Sequence, residues 1–454
     1  MEPRPQSSRL TWLATALGAG TCAVLGSVGA DARWLSALGR EIVTHGSIPS
    51  GVPYAAAPSV DWVNVPVLGE LVFHALQTLG GDKALVLAQL VATTAALVLL
   101  ALGMRLRGAS DAATAVVLLL VFFAAAPSFV IVRAQLFSLV LFTALLLLLR
   151  SEARTPSSRI WLVVPLVALW ANLHGGVLLG LAVASAYLVL DRFRRDPLRS
   201  GAVLACSFVA LFLTPALGSS GEYYLGVLRS EAAQRGEGMW APLSLHAPFD
   251  VLFVVVAVPL LVLALRSSLR LWELACIAAL VVLTLQAGRN SVWLACLLAA
   301  PAACSLSRRL SSDFVVSRRT LALCGWVPAL FLVLGLLQPA PETGAGKRVR
   351  ARAAELAAGR PILADGLDAE QLALDGQRVW IGNPLDAFSA RDQRLYLDWL
   401  EAKPGGDVLL RSGPRVVLVK RGSRADRRLA HDTGFRRAAF DDKAAVYVRS
   451  PSNE

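Results

Sequence analysis

Polar side chains stand at the ends of long apolar runs in this chain, at places where chemistry could occur. Asp31 directly follows the first apolar run. A carboxylate at a membrane surface can bind a divalent metal or take a proton from an acceptor hydroxyl. It can equally be a simple polar residue that ends a helix, and the neighbouring Arg33 and Trp34 are typical interface anchors.

Glu70 and His74 form a second acidic and basic pair. They are four positions apart, so they share one face of a helix. This spacing is a weak signal for a metal site, and a pair on the protein surface accounts for it equally well.

The stretch "LWANLHGGVLLG" places polar residues inside an apolar region. Unpaired polar groups are costly in hydrocarbon, so the stretch either turns at a membrane surface or lines a cavity. Gly175 and Gly176 permit a tight reversal of the chain. Two interpretations stay open: a solvated hairpin tip, or a cavity lined by Asn172 and His174.

Two further polar pairs lie just inside predicted helix ends. Arg133 stands near Gln135, and Arg289 precedes Asn290. Arginine binds phosphate through paired hydrogen bonds, which makes these residues candidates for a lipid phosphate. Arginines that extend their side chains to the membrane interface are the alternative.

The composition defines the setting for these residues. The chain has 454 residues, of which 56% are hydrophobic and 17% charged, whereas soluble domains carry about 25% charged residues. Apolar runs of membrane-spanning size recur, and we predict eleven transmembrane helices. They cover residues 11–30, 83–104, 111–128, 130–149, 160–173, 175–190, 201–217, 249–265, 271–287, 290–305 and 320–338.

The net charge of +12 is concentrated in short connections between these runs, which argues against nucleic-acid binding. Lys and Arg are enriched in the connections on one side of the membrane. The positive-inside rule makes this side cytoplasmic. The N-terminal segment, which carries Arg4, lies on the same side. An odd number of helices then places the C-terminus outside. The predicted inner connections are "RLRG", "RSEARTPSSR", "DRFRRDPLRS", "RSSLR" and "SRRLSSDFVVSRR".

Three segments are expected on the outer side: residues 31–82, 215–248 and everything after 340. Within the first, the apolar stretch 66–80 is short for a span and carries Glu70 and His74, so we predict a helix lying at the interface.

The composition changes at residue 339, after a membrane domain that covers 1–338. The charged segment 339–454 contains the β-rich runs "RVWIG", "RVVLVK" and "AVYVR". In "SRADRRLAHDTG", a helix is predicted from a Ser cap to Gly434. These features predict a small C-terminal α/β domain.

Known nucleotide-binding and hydrolase motifs are missing from the sequence. It has no Gly-rich phosphate loop, no Rossmann fingerprint, no D-x-D element and no serine nucleophile elbow. Nucleotide-dependent chemistry therefore has no recognisable residues.

The order of the motifs resembles bacterial polytopic proteins of the GT-C glycosyltransferase superfamily. The likeness covers the Asp after the first run, "WLSALGREIVTHGSIP" and "DWVNVPVLGELVFHAL". One branch is similar in its W-x-N-x-H-G-G turn (170–176), its R-x-Q-x-F-S helix start (133–138) and its R-N pair (289–290). The segment from "VWIGNPLDAF" to "AVYVR" resembles that branch's small outer domain.

The resemblance implies transfer of a sugar from a polyprenyl-phosphate carrier to an envelope glycan, lipid or protein, at the outer face of the bacterial inner membrane. Asp31 would serve the acceptor or a divalent metal, the only cofactor considered. Glu70 and His174 would complete the catalytic cavity. The expected lipid-phosphate ligands are Arg133, Gln135, Asn172, Arg289 and Asn290.

Two departures from the family pattern keep other functions open. Val52 stands where the branch has an Asp, and "AAPSFV" at 125–130 lacks the second acid of many GT-C enzymes. An inactive GT-C scaffold of envelope assembly is therefore the main alternative. A lipid or solute transporter is the third, although the chain lacks matching halves with broken helices.

Overall fold

The computed structural model describes residues 8–59, 62–310 and 318–450. The chain folds into two compact units. Unit 1 comprises 8–26, 86–214 and the described part of 238–340, and unit 2 comprises the described parts of 27–85, 215–237 and 341–450. Arg4 and residues 311–317 of the last predicted inner connection lie outside the described residues.

Unit 1 is helical, and each predicted apolar run overlaps one of its helices. Among the described residues, four helices are long and apolar enough to cross a membrane: Val67–Leu106, Gln135–Arg154, Pro248–Leu265 and Gly288–Ser307. The chain is a multi-pass membrane protein, while the number eleven stays a prediction. The other helices of unit 1 are Arg9–Leu25, Asp111–Ala124, Ala126–Val130, Val163–Ala171, Val177–Tyr187, Pro197–Ala210, Leu271–Gln286 and Arg318–Leu337, with short helical turns at Ser158–Leu162, Leu188–Arg192 and Gly238–Trp240.

The helix Val67–Leu106 is broken at Gly80 and Gly81, which have non-helical backbone angles. Gly81 has φ +58°, a conformation that glycine adopts without steric cost. The break separates the stretch predicted to lie at the interface from the predicted span 83–104.

The five predicted inner connections meet at one end of unit 1. For the last of them this statement covers only the described residues up to 310. Hydrogen bonds link them in pairs: Arg107 to the Ser268 carbonyl at 2.6 Å, Ser110 N–H to Ser307 at 2.8 Å, Arg192 to Glu152 at 2.9 Å and Arg270 to Asp191 at 2.9 Å. This grouping is what a shared membrane side requires. The side itself stays a prediction.

Unit 2 contains a four-stranded sheet. Its strands are β1 (Ile362–Ala364), β2 (Val416–Lys420), β3 (Phe435–Phe440) and β4 (Ala444–Arg449), in the order β1-β2-β4-β3. β1 and β2 are parallel, and β4 is antiparallel to both of its neighbours, with Val417 opposite Tyr447. Helices of this unit are Ala32–His45, the first part of Val67–Leu106, Ser220–Arg229, Glu231–Arg235, Lys347–Ala357, Gly366–Leu374, Ala390–Leu400, Gly406–Ser412 and Arg424–His431, with 3-10 turns at Leu217–Ser219 and Leu385–Ala387.

The sequence predicts this sheet only in part. The runs "RVVLVK" and "AVYVR" form β2 and β4. The strand expected at "RVWIG" is wrong, because Val379 makes only isolated bridges to Ala55 and Ile362. The predicted Ser cap is confirmed, since Ser423 Oγ accepts from the Asp426 N–H at 3.1 Å, but the helix ends at His431, before Gly434.

The first outer loop and the C-terminal segment share one hydrophobic core. Trp34 and Val52 from the loop pack in the same cluster as Val417 and Val446 of the sheet. This shared core explains why residues 27–85 join the C-terminal segment in unit 2. The predicted domain boundary at 338/339 stays a prediction, but the compact unit is larger than residues 339–454.

The expectation that Arg33 and Trp34 anchor at a lipid interface is wrong. Each is only 1% exposed. Arg33 forms an ion pair with Asp82 at 2.7 Å and donates to Thr343 at 2.9 Å. Both side chains therefore hold unit 2 together instead of facing lipid.

Candidate active site

Asp31 has a backbone conformation that few residues adopt. Its φ is 76° and its ψ −27°, at the N-terminus of helix Ala32–His45. Left-handed backbone is uncommon outside glycine, although Asp and Asn tolerate it best. Such strain persists only where the surroundings enforce it, and it is concentrated at functional sites.

Glu370, on helix Gly366–Leu374, holds Asp31 in this conformation. The Asp31 N–H donates to Glu370 Oε1 at 2.8 Å, and the Asn383 amide donates to the same oxygen at 2.8 Å. Glu370 is fully buried, and its Oε2 has no hydrogen-bond partner among the described residues. Burial, and then the Asp31 carboxylate, raise the pKa of Glu370 to about 8. This carboxyl group therefore retains a proton near neutral pH.

Glu70 is a second fully buried acid in unit 2. The Asn64 amide donates to its Oε2 at 2.8 Å, while Oε1 has no hydrogen-bond partner among the described residues. Its helix packs closely against Ala32–His45: a Cβ on Gly39 would come within 2.2 Å of the Glu70 carbonyl oxygen. This close approach fixes Glu70 relative to the helix that begins after Asp31.

Asp386 and Tyr223 face the same group of acids. The Trp62 indole N–H donates to Asp386 at 3.4 Å. Burial raises the pKa of Asp386 to about 6, with a further contribution from the Asp31 carboxylate. The pKa of Tyr223 is raised well above its usual value, first by burial and then by Asp386, Tyr224, Glu70 and Asp31. We call Asp31, Glu70, Glu370 and Asp386 the acid cluster.

The predicted option of a divalent metal has no matching ligand set in the described structure. Across residues 8–59, 62–310 and 318–450, no three His, Cys, Asp or Glu side chains are grouped so that they could hold an ion. The divalent metal stays a prediction, and the chemistry below uses only the side chains of this chain.

The remaining candidate residues lie in unit 1, where His174 is the centre of a polar network. The Trp170 indole donates to Ser138 Oγ at 2.7 Å, and Ser138 Oγ lies 2.7 Å from His174 Nδ1. The Gly176 N–H donates to the same ring nitrogen at 3.1 Å. Two donors on Nδ1 make this nitrogen the acceptor and leave the proton on Nε2. The hairpin tip therefore carries an ordered hydrogen-bond network, and the cavity role of His174 stays a prediction.

Gly176 in this turn has a different purpose from the predicted one. Gly176 has φ −60°, which any residue can adopt. A Cβ there would lie 2.7 Å from Ser138 Oγ and 2.8 Å from His174 Nδ1. Glycine at 176 thus provides space for the network and is not needed for the chain reversal.

The amide side chains proposed as phosphate ligands serve the backbone in part. Asn172 donates to the Ala168 carbonyl at 2.8 Å and to the Leu213 carbonyl at 2.7 Å. Asn290 donates to the Leu283 carbonyl at 2.9 Å. With both amide hydrogens in use, Asn172 has only its carbonyl oxygen left, which suits a phosphate poorly.

Gln135 keeps a donor that suits a phosphate, and two arginines add positive charge to unit 1. Gln135 Nε2 is buried without a hydrogen-bond partner among the described residues. The Arg289 guanidinium lies 3.4 Å from the centroid of the Trp240 ring. Its positive charge also acts on the His174 ring. Arg133 stands two positions before the first residue of helix Gln135–Arg154.

The structure thus divides the predicted residues between the two units. Asp31 and Glu70 belong to unit 2, whereas His174, Arg133, Gln135, Asn172, Arg289 and Asn290 belong to unit 1. Sequence reasoning missed Glu370 and Asp386. The signal for Glu370 was a carboxylate among buried apolar positions of its helix, between Ala369 and Ala373.

Solved structures match the fold of this chain. The archaeal oligosaccharyltransferase AglB from Archaeoglobus fulgidus matches with a TM-score of 0.55 at 11% identity, over 90% of this chain and 69% of that one. ArnT from Cupriavidus metallidurans matches with a TM-score of 0.54 at 13% identity, over 98% of both chains. The chain has the GT-C fold.

A third GT-C structure, the arabinofuranosyltransferase AftD from Mycobacteria, matches with a TM-score of 0.51 at 14% identity. The match covers 99% of this chain and 42% of the AftD chain. No protein-family model matches the chain, and no curated protein matches it in sequence. At these identities the likeness establishes the GT-C fold, and activity has to be argued from the residues.

Proposed function

We propose that this protein is a membrane glycosyltransferase that moves a sugar from a polyprenyl-phosphate carrier to an acceptor hydroxyl in the cell envelope. The observation that carries the proposal is Asp31, a carboxylate held in left-handed backbone by a buried second acid. The acceptor is an envelope glycan, lipid or protein.

The solved relatives support a lipid-linked donor. ArnT, which matches end to end, is bound to undecaprenyl phosphate, and AglB is in complex with an inhibitory peptide and a dolichol-phosphate. A polyprenyl phosphate is amphiphilic, which fits a multi-pass protein with a polar unit attached to its helices.

The reaction balances with the chain's own residues. The acceptor oxygen forms a bond to the anomeric carbon, and the bond from that carbon to the phosphate oxygen breaks. The bonding pair leaves with the polyprenyl phosphate, and the acceptor proton passes to the Asp31 carboxylate as general base. The leaving phosphate gains negative charge, which Arg133 and Arg289 would stabilise.

Glu370 acts through Asp31 and is a positioning residue. Its protonated carboxyl avoids placing a second full charge beside the base, and its Oε1 accepts from the Asp31 N–H. Glu70 and the Nε2–H of His174 would hydrogen-bond sugar hydroxyls, the role that neutral polar groups fill in a site for a carbohydrate.

The reaction belongs at the outer face of the bacterial inner membrane in this proposal, with the N-terminus in the cytoplasm. A periplasm-active reporter fused after residue 454 should be active, and one fused near Arg195 should be silent. Activity only from the Arg195 fusion would reverse the orientation and move the acid cluster to the cytoplasmic side.

Purified full-length protein, incubated with a panel of labelled polyprenyl-phosphate sugars and envelope extract, tests the function directly. We expect one donor to release free polyprenyl phosphate in a reaction that Asp31→Asn abolishes. The matched control is Asp442→Asn, an exposed acid in unit 2. Equal release by both variants would reject Asp31 as the base.

A non-catalytic scaffold is the second candidate, and Val52 favours it. The residue expected to be an acid in the family branch is here 5% exposed and part of the apolar core of unit 2. The two candidates separate in cells: a catalyst needs Asp31 for normal envelope glycans, whereas a scaffold tolerates Asp31→Asn but not deletion of the protein.

A further inference from the structure

A polar cavity opens among the helix ends of unit 1 where the predicted inner connections meet. Its volume is about 320 Å³, within the range of about 300–1,000 Å³ typical of small-molecule sites. Four arginines and one glutamate contribute to its lining: Arg107, Arg150, Arg154, Arg270 and Glu273. We call it the arginine cavity.

Glu273 is the single carboxylate in this lining, and several donors share it. Arg107 lies 2.5 Å from Glu273 Oε1, and Arg150 Nε lies 3.6 Å from the same oxygen. The backbone N–H of Arg270 donates to Glu273 Oε2 at 3.2 Å. One negative charge thus faces two guanidinium groups, which leaves the cavity positive.

The other two arginines at the cavity have different partners. Arg270 pairs with Asp191 at 2.9 Å, and Arg154 donates to the Leu106 carbonyl at 2.6 Å. Arg154 is exposed and has no carboxylate partner among the described residues. A guanidinium carries five N–H donors, so a backbone carbonyl leaves Arg154 with donors for an anion.

An apolar groove of about 570 Å³ adjoins the arginine cavity, and Leu106 lines both. Leucines of two helices form the groove, among them Leu99, Leu102, Leu147 and Leu148. Arg105 and Arg159 also contribute to its lining. A positive cavity next to a leucine groove matches an amphiphile with an anionic head and a hydrocarbon tail.

We propose that this region binds an anionic glycerophospholipid, with the phosphate headgroup in the arginine cavity and one acyl chain in the leucine groove. The phosphate would accept charge-assisted hydrogen bonds from Arg154 and Arg270. Basic pockets between transmembrane helices take anionic headgroups on the cytoplasmic side, which is the side that the charge pattern predicts for this end.

Arginines that merely set the membrane orientation would not produce this arrangement. Such side chains extend into water, whereas Arg150 is 8% exposed and donates to the Leu297 carbonyl at 2.7 Å. The lipid site is independent of the sugar transfer proposed above, since none of its residues belongs to the acid cluster.

Native mass spectrometry of full-length protein with defined lipids tests the proposal. The probes are phosphatidylglycerol, phosphatidylcholine of equal chain length, and glycerol 3-phosphate. The variants are Arg154→Gln, which leaves Glu273 and its partners intact, and Leu102→Trp, which fills the groove. Arg194→Gln is the matched control, because Arg194 is exposed at the same end and lies outside the lining.

The wild-type protein should retain phosphatidylglycerol in preference to phosphatidylcholine. Arg154→Gln should weaken that retention about tenfold, the effect of one lost charged hydrogen bond, and Arg194→Gln should leave it unchanged. Leu102→Trp should also weaken the retention of phosphatidylglycerol. Thermal melting confirms that each variant is folded.

Three outcomes would overturn the proposal. They are equal retention of the two phospholipids by the wild type, an Arg154→Gln variant that behaves like Arg194→Gln, and binding of glycerol 3-phosphate as tight as that of phosphatidylglycerol. The last outcome would make the cavity a site for a soluble phosphate.

Discussion

The acid cluster of unit 2 and the arginine cavity of unit 1 both bury charged groups, but they balance charge in opposite ways. In the arginine cavity, Glu273 lies against Arg107 and Arg150. In the acid cluster, Glu70 and Glu370 accept hydrogen bonds from amide groups. The nearby Asp31 carboxylate raises the pKa of Glu370.

The difference separates structural from functional charge. A buried ion pair is costly to break, because removal of one partner leaves a charge without compensation. Carboxylates gathered around one another weaken the folded state and are expected where chemistry needs them. Substitutions in the arginine cavity should therefore lower the stability of the protein, and substitutions in the acid cluster should lower its activity.

The largest expected effect is on turnover, in the acid cluster. Asp31→Asn should lower turnover by about 10²–10⁴-fold, because the amide cannot accept the acceptor's proton. Asn tolerates left-handed backbone as Asp does, so the melting temperature should stay close to that of the wild type. Release of polyprenyl phosphate and thermal melting in detergent measure the two quantities. A large fall in melting temperature would make Asp31 structural and remove the contrast.

The next effect is on stability, in unit 1. Glu273→Gln should lower the free energy of unfolding by about 3–5 kcal/mol, since Arg107 and Arg150 lose their shared carboxylate. Thermal melting against the exposed control Glu222→Gln measures it. A melting temperature equal to the control's would show that the ion pairs are dispensable, and the comparison would break.

A smaller loss of stability is expected in the uncharged hydrogen-bond network of unit 1. Gly176→Ala should cost about 1–3 kcal/mol, because the added Cβ crowds Ser138 and His174 in an uncharged network. Gly201→Ala is the control, since a Cβ at 201 meets nothing within 4 Å. Equal melting temperatures of the two variants would mean that the turn relaxes to accept a methyl group.

The last effect is a pH dependence that originates in the acid cluster. The folded state raises the pKa of Glu370 from 4.5 to about 8, so it binds this proton more tightly than the unfolded state does. Stability present at pH 4.5 should be lost as the pH rises toward about 8, by at most about 1.4 kcal/mol per pH unit.

Glu370→Gln carries no proton to lose, so its melting temperature should fall less between pH 5 and pH 8 than that of the wild type. Glu355→Gln is the control, because its carboxylate is largely exposed. A variant with the wild-type slope would assign the pH dependence to another group.

The sequence by itself determined the parts of this protein that depend on local composition. The apolar runs became helices because hydropathy and length act within a single segment. The break at Gly80 and Gly81 falls between the stretch 66–80 and the predicted span 83–104, while the placement of 66–80 at the interface stays a prediction. The strands β2 and β4 followed from short continuous apolar runs rich in β-branched residues, and the Ser423 cap from its spacing to Asp426.

Tertiary structure decided which polar residues meet. Glu370 contacts Asp31 from 339 positions away, a separation that no local pattern encodes. Val379 looked like a strand residue, yet it forms only isolated bridges, one to Ile362 at the sheet edge and one to Ala55 of the first outer loop. Glycine at 176 is explained by the space that Ser138 and His174 need, and that space exists only once three helical segments have packed together.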